Sequence, residues 1–300
     1  MTTTSRSLNI ISGIAACLVW AAVSPVVHGA GAPQLNEAAQ AKIKAAAGAK
    51  TPLTADGHPD LSGYWQSPAM GGGGVPPGLA TAPKSNDDGT VRLFGEGADV
   101  VTVNKRMRDA VAARRANTSL RPKYKNPEDA AKALANFDAG DMADPTYGCV
   151  LPGVARLGLP AEIFQRPGAI VLLYEDLVNR YRVVPIDGSK LEDDLEEMPL
   201  GYPLGHWEGD TLVIETTGFV EGNWIDRDGS FHSKDLRMVE KFTRRGNTLH
   251  VDVVAHDPIW VEPFTVNSRT LVLAPAGTHV GSEYACNELG KENLVNGEKH

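Results

Sequence analysis

The sequence predicts a mainly β protein: an antiparallel up-and-down barrel of calycin or lipocalin shape, or a strongly curled sheet, behind an N-terminal helical and irregular arm. Three observations predict it. After Pro145 the chain is a series of short apolar runs rich in β-branched residues, set at fairly even spacing. Hairpin-like turns such as Gly209-Asp210 and Arg245-Gly246-Asn247 separate them. Alternation is regular within them, with Leu249, Val251 and Val253 facing one way and His250, Asp252 and Val254 the other.

Taken from the N-terminus, residues 1–30 read as a signal peptide. Arg6 precedes an apolar run from about Ile10 to Val27, and the small residues Gly29, Ala30, Gly31 and Ala32 follow. Ile14-Ala15-Ala16-Cys17 also resembles a lipobox, but Leu18 to Ala22 continue the apolar run where a polar mature chain should begin. The expected location is therefore periplasmic or secreted, with no stable membrane insertion once the signal is removed.

Residues 31–144 form the arm. Gln34 to Lys50 is alanine-rich and favours a helix by propensity. DGHPDLSGYW (56–65) and the Gly/Pro run from Pro68 to Pro83 read as irregular chain wrapped on a core. Helical spacing returns over Asp99–Asn117 and over Pro127–Phe137, the second with proline in its first turn. Residues 145–300 form the barrel domain, with strands in AIVLLYED, NRYRVVPIDGS, HWEGDTLVIETTGF, DLRMVEKFTRRG, NTLHVDVVAHD and FTVNSRTLVLAP. Six or more strands in sequential hairpins remove their exposed edges by closing or by folding into a sandwich, and closure to about eight strands leaves space for one small ligand.

Charge and motifs exclude several classes. The chain carries 29 basic and 37 acidic groups, and loss of Arg6 with the signal makes the net charge about −9, which disfavours a nucleic-acid partner. No Walker loop, GxGxxG turn, GxSxG elbow or HExxH helix is present, so no cofactor is implied. His250, Asp252 and His256 could share a barrel wall, but no compact ligand set marks a tight metal site. Of the three cysteines, Cys149 and Cys286 survive processing, and in an oxidising compartment they are expected to pair, closing a loop of about 137 residues.

The candidate chemistry centres on WIDRDGSFHS (224–233). Asp226 and His232 are the leading proton-handling pair, since a carboxylate can fix the imidazole tautomer and raise its basicity. Ordinary turn chemistry, with aspartates capping backbone amides, explains the same composition. Ser233 neighbours His232 and so points elsewhere, as a cap or hydrogen-bond donor. Glu240 shares the parity of Leu236, Met238 and Phe242, which makes it either a perturbed acid or base or the partner of an arginine such as Arg182 or Arg269. Glu162 and Gln165 lie in the proline-flanked GLPAEIFQRPG segment, with Arg156 nearby as an anchor for an anionic group. Trp224, Tyr174 and Trp260 are the aromatic candidates for the substrate wall.

DGHPDLSGYW, CVLPGVARL, FQRPGAIVLLYED, GHWEGDTLVIETTGF, NWIDRDGSFHS and EYACNE together resemble a widespread group of secreted bacterial proteins. The resemblance covers most of the mature chain. It implies export and a β-rich fold, and it carries no agreed activity. The reading of function is an exported barrel enzyme performing cofactor-independent acid–base chemistry, of lyase, hydratase or isomerase type, on a small apolar or aromatic hydroxylated compound. A periplasmic carrier without turnover and a structural envelope module are the alternatives.

Overall fold

Nine antiparallel strands form one sheet in the computed structural model, in the order β4-β3-β2-β1-β9-β8-β7-β6-β5. The structure describes residues 35–68, 120–139, 143–148, 151–175, 180–192 and 194–280, with three single positions between 112 and 117. The strands are β1 (Gly63–Gln66), β2 (Glu162–Arg166), β3 (Ala169–Tyr174), β4 (Arg180–Pro185), β5 (Tyr202–Glu208), β6 (Thr211–Thr217), β7 (Arg237–Arg245), β8 (Thr248–His256) and β9 (Phe264–Leu273). Helices α1 (Glu37–Ala47), α2 (Pro127–Ala139) and the single turn α3 (Val154–Leu157) accompany them.

The sheet curls into a nearly closed barrel, and the ends of the order, β4 and β5, meet without a ladder. Gly205 on β5 makes that approach possible, because a Cβ there would lie 2.7 Å from Ile186 Cγ2 and 3.0 Å from Val184 Cγ1. Period-two alternation then divides every strand. Leu212 and Ile214 of β6, Met238 and Phe242 of β7, and Leu249, Val251 and Val253 of β8 enter one core with Ile163, Ile170 and Leu172. All six runs expected from the sequence form strands, and HWEGDTLVIETTGF contributes to two of them, β5 and β6, on either side of the Gly209-Asp210 turn. Two further ones lie where it suggested irregular chain: β1 inside the arm, and β2 in the proline-flanked segment before the first long run. Both are short, four and five residues, too short to show a period on their own.

The two barrel ends are built differently. At one, α1 lies on the β7–β8 turn: Asn247 N donates to Ala46 O at 2.9 Å, and a Cβ at Gly246 (φ +57°) would sit 2.6–2.9 Å from three carbonyls of residues 46–49. Arg244 points inward there, its guanidinium 5.1 Å from the Trp65 ring, and donates to the carbonyls of Gly246 and Asp60. The other end is closed by the long β6–β7 connection, residues 218–236, together with the 257–263 connection, Tyr124 and α2. Of the helix expected over Asp99–Asn117 only Ala112, Ala116 and Asn117 are described, the first two as helix; the Gly/Pro run beyond Pro68, the signal peptide, Cys149 and Cys286 lie outside the described residues, among which there is no disulfide.

Candidate functional site

The 218–236 connection leaves β6, sends Phe219, Ile225 and Leu236 into the core, and makes a hairpin-like excursion between them. Trp224 and Phe231 form an antiparallel bridge, and Ile225 N donates to Ser230 O at 2.8 Å. The turn is held by Asp226, whose Oδ1 accepts from Asp228 N at 2.8 Å and Ser230 N at 3.0 Å. Gly229, at φ +82°, sits against α2 so closely that a Cβ would meet Asn136 Cβ at 2.4 Å, and Asn136 Nδ2 donates to Gly229 O at 3.0 Å. Tyr124 straps the far side. Its hydroxyl accepts from Phe231 N and donates to Phe231 O, both at 2.9 Å, with the two rings 5.0 Å apart. Lys132 of α2 places Nζ 4.3 Å from the centre of the Phe231 ring.

Two titratable groups in this excursion are displaced in complementary directions. Burial pushes the Asp226 carboxyl up, against the opposing pull of Ser230 and of the Asp228 amide. Among the described residues its buried Oδ2 makes no aligned hydrogen bond, and neither does the neighbouring Ser230 Oγ. Burial pulls the His232 imidazole down, more than the Ser233 carbonyl, Asp257 and Glu221 push it up. At neutral pH His232 is thus uncharged, while Asp226 is more readily protonated than an exposed aspartate. Nδ1 of His232 lies 2.8 Å from Ser233 O, and the ring stands edge-on to Phe219 with centroids 6.1 Å apart.

The expected Asp226–His232 hydrogen bond is not formed. The aspartate spends its Oδ1 on the turn, and the imidazole takes a backbone carbonyl instead. The turn reading of WIDRDGSFHS holds for Asp226 Oδ1, while Oδ2 is buried without an aligned partner among the described residues. Asp257, which the sequence reading passed over, is the carboxylate that organises His232's neighbour: Ser233 N donates to its Oδ2 at 2.8 Å and Ser233 Oγ to its Oδ1 at 2.9 Å. Tyr124 and Ser230 were also missed. An aspartate that ends a strand just before a proline was the available signal for Asp257; Tyr124 offered none, being about a hundred residues away in sequence.

Glu240 does point inward, and its partner is Arg182. Arg182 Nη1 lies 2.7 Å from Glu240 Oε2, donates to Tyr174 Oη at 2.9 Å, and Nη2 donates to Thr216 Oγ1 at 2.8 Å. The ion pair is close but not a linear hydrogen bond, since Glu240 Oε2 and Arg182 Nε lack aligned partners among the described residues. All four side chains are buried, and burial pushes the Tyr174 phenol up. The network joins β3 and β4 to β6 and β7 across the lumen, since Thr216 pairs with Met238 and Ile214 with Glu240 in the layers next to the 218–236 connection. Tyr174 and Glu240 are therefore a floor beneath the excursion.

Three other candidates sit away from it. Ile163 of β2 faces the core opposite Leu172, so Glu162 faces outward, where it binds the C-terminal segment: His279 Nδ1 at 2.9 Å and Val280 N at 3.1 Å. Gln165 Oε1 accepts from Leu61 N at 2.8 Å and anchors the arm. Arg156 is occupied by Asp144 at 2.8 Å; burial raises that carboxyl, and the arginine and Thr146 more than offset it, leaving its pKa low. Trp224 packs with Ala133 and Phe231, and Trp260 lies edge-on to Phe264, with its Nε1 buried near Tyr124. Trp224, Asp226, His232 and Trp260 thus share one barrel end. His250 and Asp252 face outward, with His250 Nε2 3.2 Å from Asp252 Oδ2. No group of three or more metal-ligating side chains occurs among the described residues.

Comparison with known proteins finds no matching family model, no similar curated protein and no similar solved structure. What the site can do rests on its own atoms. The Asp226 carboxyl is pushed toward its protonated form, the His232 imidazole is held neutral, and the two are not bonded to each other.

Proposed function

We propose that this is an exported barrel enzyme of lyase, hydratase or isomerase type, working by acid–base chemistry on a small apolar or aromatic hydroxylated compound at the end closed by residues 218–236. The supporting observation is the pair of opposite displacements, Asp226 upward and His232 downward, without a bond between them. In an elimination, His232 Nε2 takes a proton from carbon, the C–O bond to the neighbouring carbon breaks, and the Asp226 carboxyl protonates the departing hydroxyl as water. The proton on His232 returns to Asp226 through solvent, and the reverse sequence is a hydration. Such chemistry needs no cofactor. Aromatic side chains of Trp224, Tyr124, Phe231 and Trp260 suit an apolar or aromatic substrate.

A carrier reading is favoured by one observation: aromatic side chains and the buried Asp226 carboxyl gather at one barrel end, groups that could hold a hydroxyl or carbonyl without any base. The two readings part in one experiment. The mature protein is incubated in D2O with a panel of hydroxylated aromatic and terpenoid ketones, and deuterium entry at carbon is followed by NMR while tryptophan fluorescence reports binding. Exchange or turnover that disappears in both His232→Gln and Asp226→Asn supports the enzyme. Binding without exchange supports the carrier, and neither signal across the panel rejects both.

A further inference from the structure

We propose that Asp257 is the positioning residue that decides which nitrogen of His232 is free; this rests on the reading of His232 as the base. Asp257 lies just past β8 and is buried. Both of its oxygens are used on one residue, Oδ2 by Ser233 N at 2.8 Å and Oδ1 by Ser233 Oγ at 2.9 Å, and Oδ1 also accepts from Ile259 N at 3.0 Å. Two bonds from adjacent donors of one residue fix the orientation of the backbone around Ser233. The Ser233 carbonyl then meets His232 Nδ1 at 2.8 Å.

A carbonyl oxygen can only accept, so Nδ1 must carry the hydrogen. In neutral imidazole that leaves the Nε2 lone pair as the basic site, the tautomer that is less favoured in free histidine. The usual device is a carboxylate bonded directly to the ring nitrogen. Here the carboxylate acts one step removed, through Ser233, which keeps a full negative charge off the imidazole and agrees with the downward displacement of His232 by burial. Asp257 and Glu221 are the acids that act on this ring; Asp226, the acid of the proposed chemistry, is not among them.

The test needs no substrate. Mature protein labelled with 15N-histidine is observed by long-range 1H–15N NMR at pH 8, and the His232 tautomer is read from the ring shifts. The expected wild-type result is Nδ1–H. In Asp257→Asn, which retains the shape but presents an NH2 group to one Ser233 donor, the Nδ1–H to Nε2–H ratio falls by about fivefold, the change that one hydrogen bond of ordinary net strength supports. Ser233→Ala, which removes only the hydroxyl bond, shifts the ratio in the same direction by less, and it decides the matter if Asp257→Asn does not fold. A wild-type Nε2–H tautomer overturns the proposal, as does an unchanged tautomer in the folded variants. Should the tautomer respond as stated while His232→Gln leaves turnover intact, the catalytic reading fails and the positioning one stands.

Discussion

Removing the charge from Glu240 should cost several kcal/mol of stability, on the order of what a stranded buried partner costs. Glu240→Gln keeps the side-chain volume and leaves the Arg182 guanidinium, 3% exposed, without its carboxylate. Arg182 retains the hydroxyls of Tyr174 and Thr216, but neither is an anion, so a full positive charge remains in the lumen beside Ile214 and Met238. Stranding one member of a buried pair costs about 3–5 kcal/mol. That is a large share of the roughly 5–15 kcal/mol by which a domain is stable. Replacing both, as Arg182→Met with Glu240→Leu, removes the stranded charge and leaves only the hydroxyls of Tyr174 and Thr216 short of a partner, at about 1–3 kcal/mol each. The double variant should therefore be at least about 2 kcal/mol more stable than the sum of the single losses predicts. Urea unfolding at pH 7, followed by tryptophan fluorescence, measures Glu240→Gln and the cycle of wild type, Arg182→Met, Glu240→Leu and the double variant. A Glu240→Gln loss below about 1 kcal/mol, or an additive cycle, would refute the claim that the charge pair is truly desolvated.

Further expectations concern the excursion and its supports. Tyr124→Phe removes both bonds to the Phe231 backbone and strands its N–H, which should cost about 1–3 kcal/mol in the same unfolding assay and raise hydrogen exchange at residues 224–232. Gly229→Ala adds a Cβ at φ +82° against Asn136 and should loosen α2, seen as faster amide exchange over residues 127–139 with the barrel strands unaffected. Stability should also depend on pH through the two displaced groups. A raised carboxyl destabilises the fold once the unfolded chain ionises, so the penalty from Asp226 grows as pH rises from about 3.8 through its folded value. Asp226→Asn, which can still cap the turn through Oδ1, should gain on the wild type in that direction. A lowered imidazole works oppositely: the unfolded chain takes up a proton below about 6.5, so stability falls as pH drops below that value, and His232→Gln should remove this part of the slope.

Much of the barrel was legible because a half-buried strand writes its parity into the residues. LRMVEKF and TLHVDVV carry that alternation over seven positions, and the structure keeps the same faces. Parity even placed Glu240 in the lumen, though not its partner. β1 and β2 were hidden because GYWQ and EIFQR are too brief to show a period and lie among prolines and glycines, so only the register with β9 and β3 reveals them as strands. The candidate residues Asp226 and His232 were legible as a shared segment and not as bonds. Spacing could show that Asp226 and His232 share a short segment; it could not show that a bridge between Trp224 and Phe231 would turn the aspartate onto its own backbone. Asp257 came from 24 residues downstream, and no local pattern links it to Ser233.

The most direct measurement is a site-resolved titration of the free protein, with the Asp226 carboxyl followed by 13C NMR and the His232 ring by 15N NMR. The account predicts a carboxyl midpoint clearly above 3.8 and an imidazole midpoint clearly below 6.5, with neither moved by Gln or Asn substitution of the other. Ordinary midpoints for both groups would contradict it, as would two midpoints that shift together on substitution.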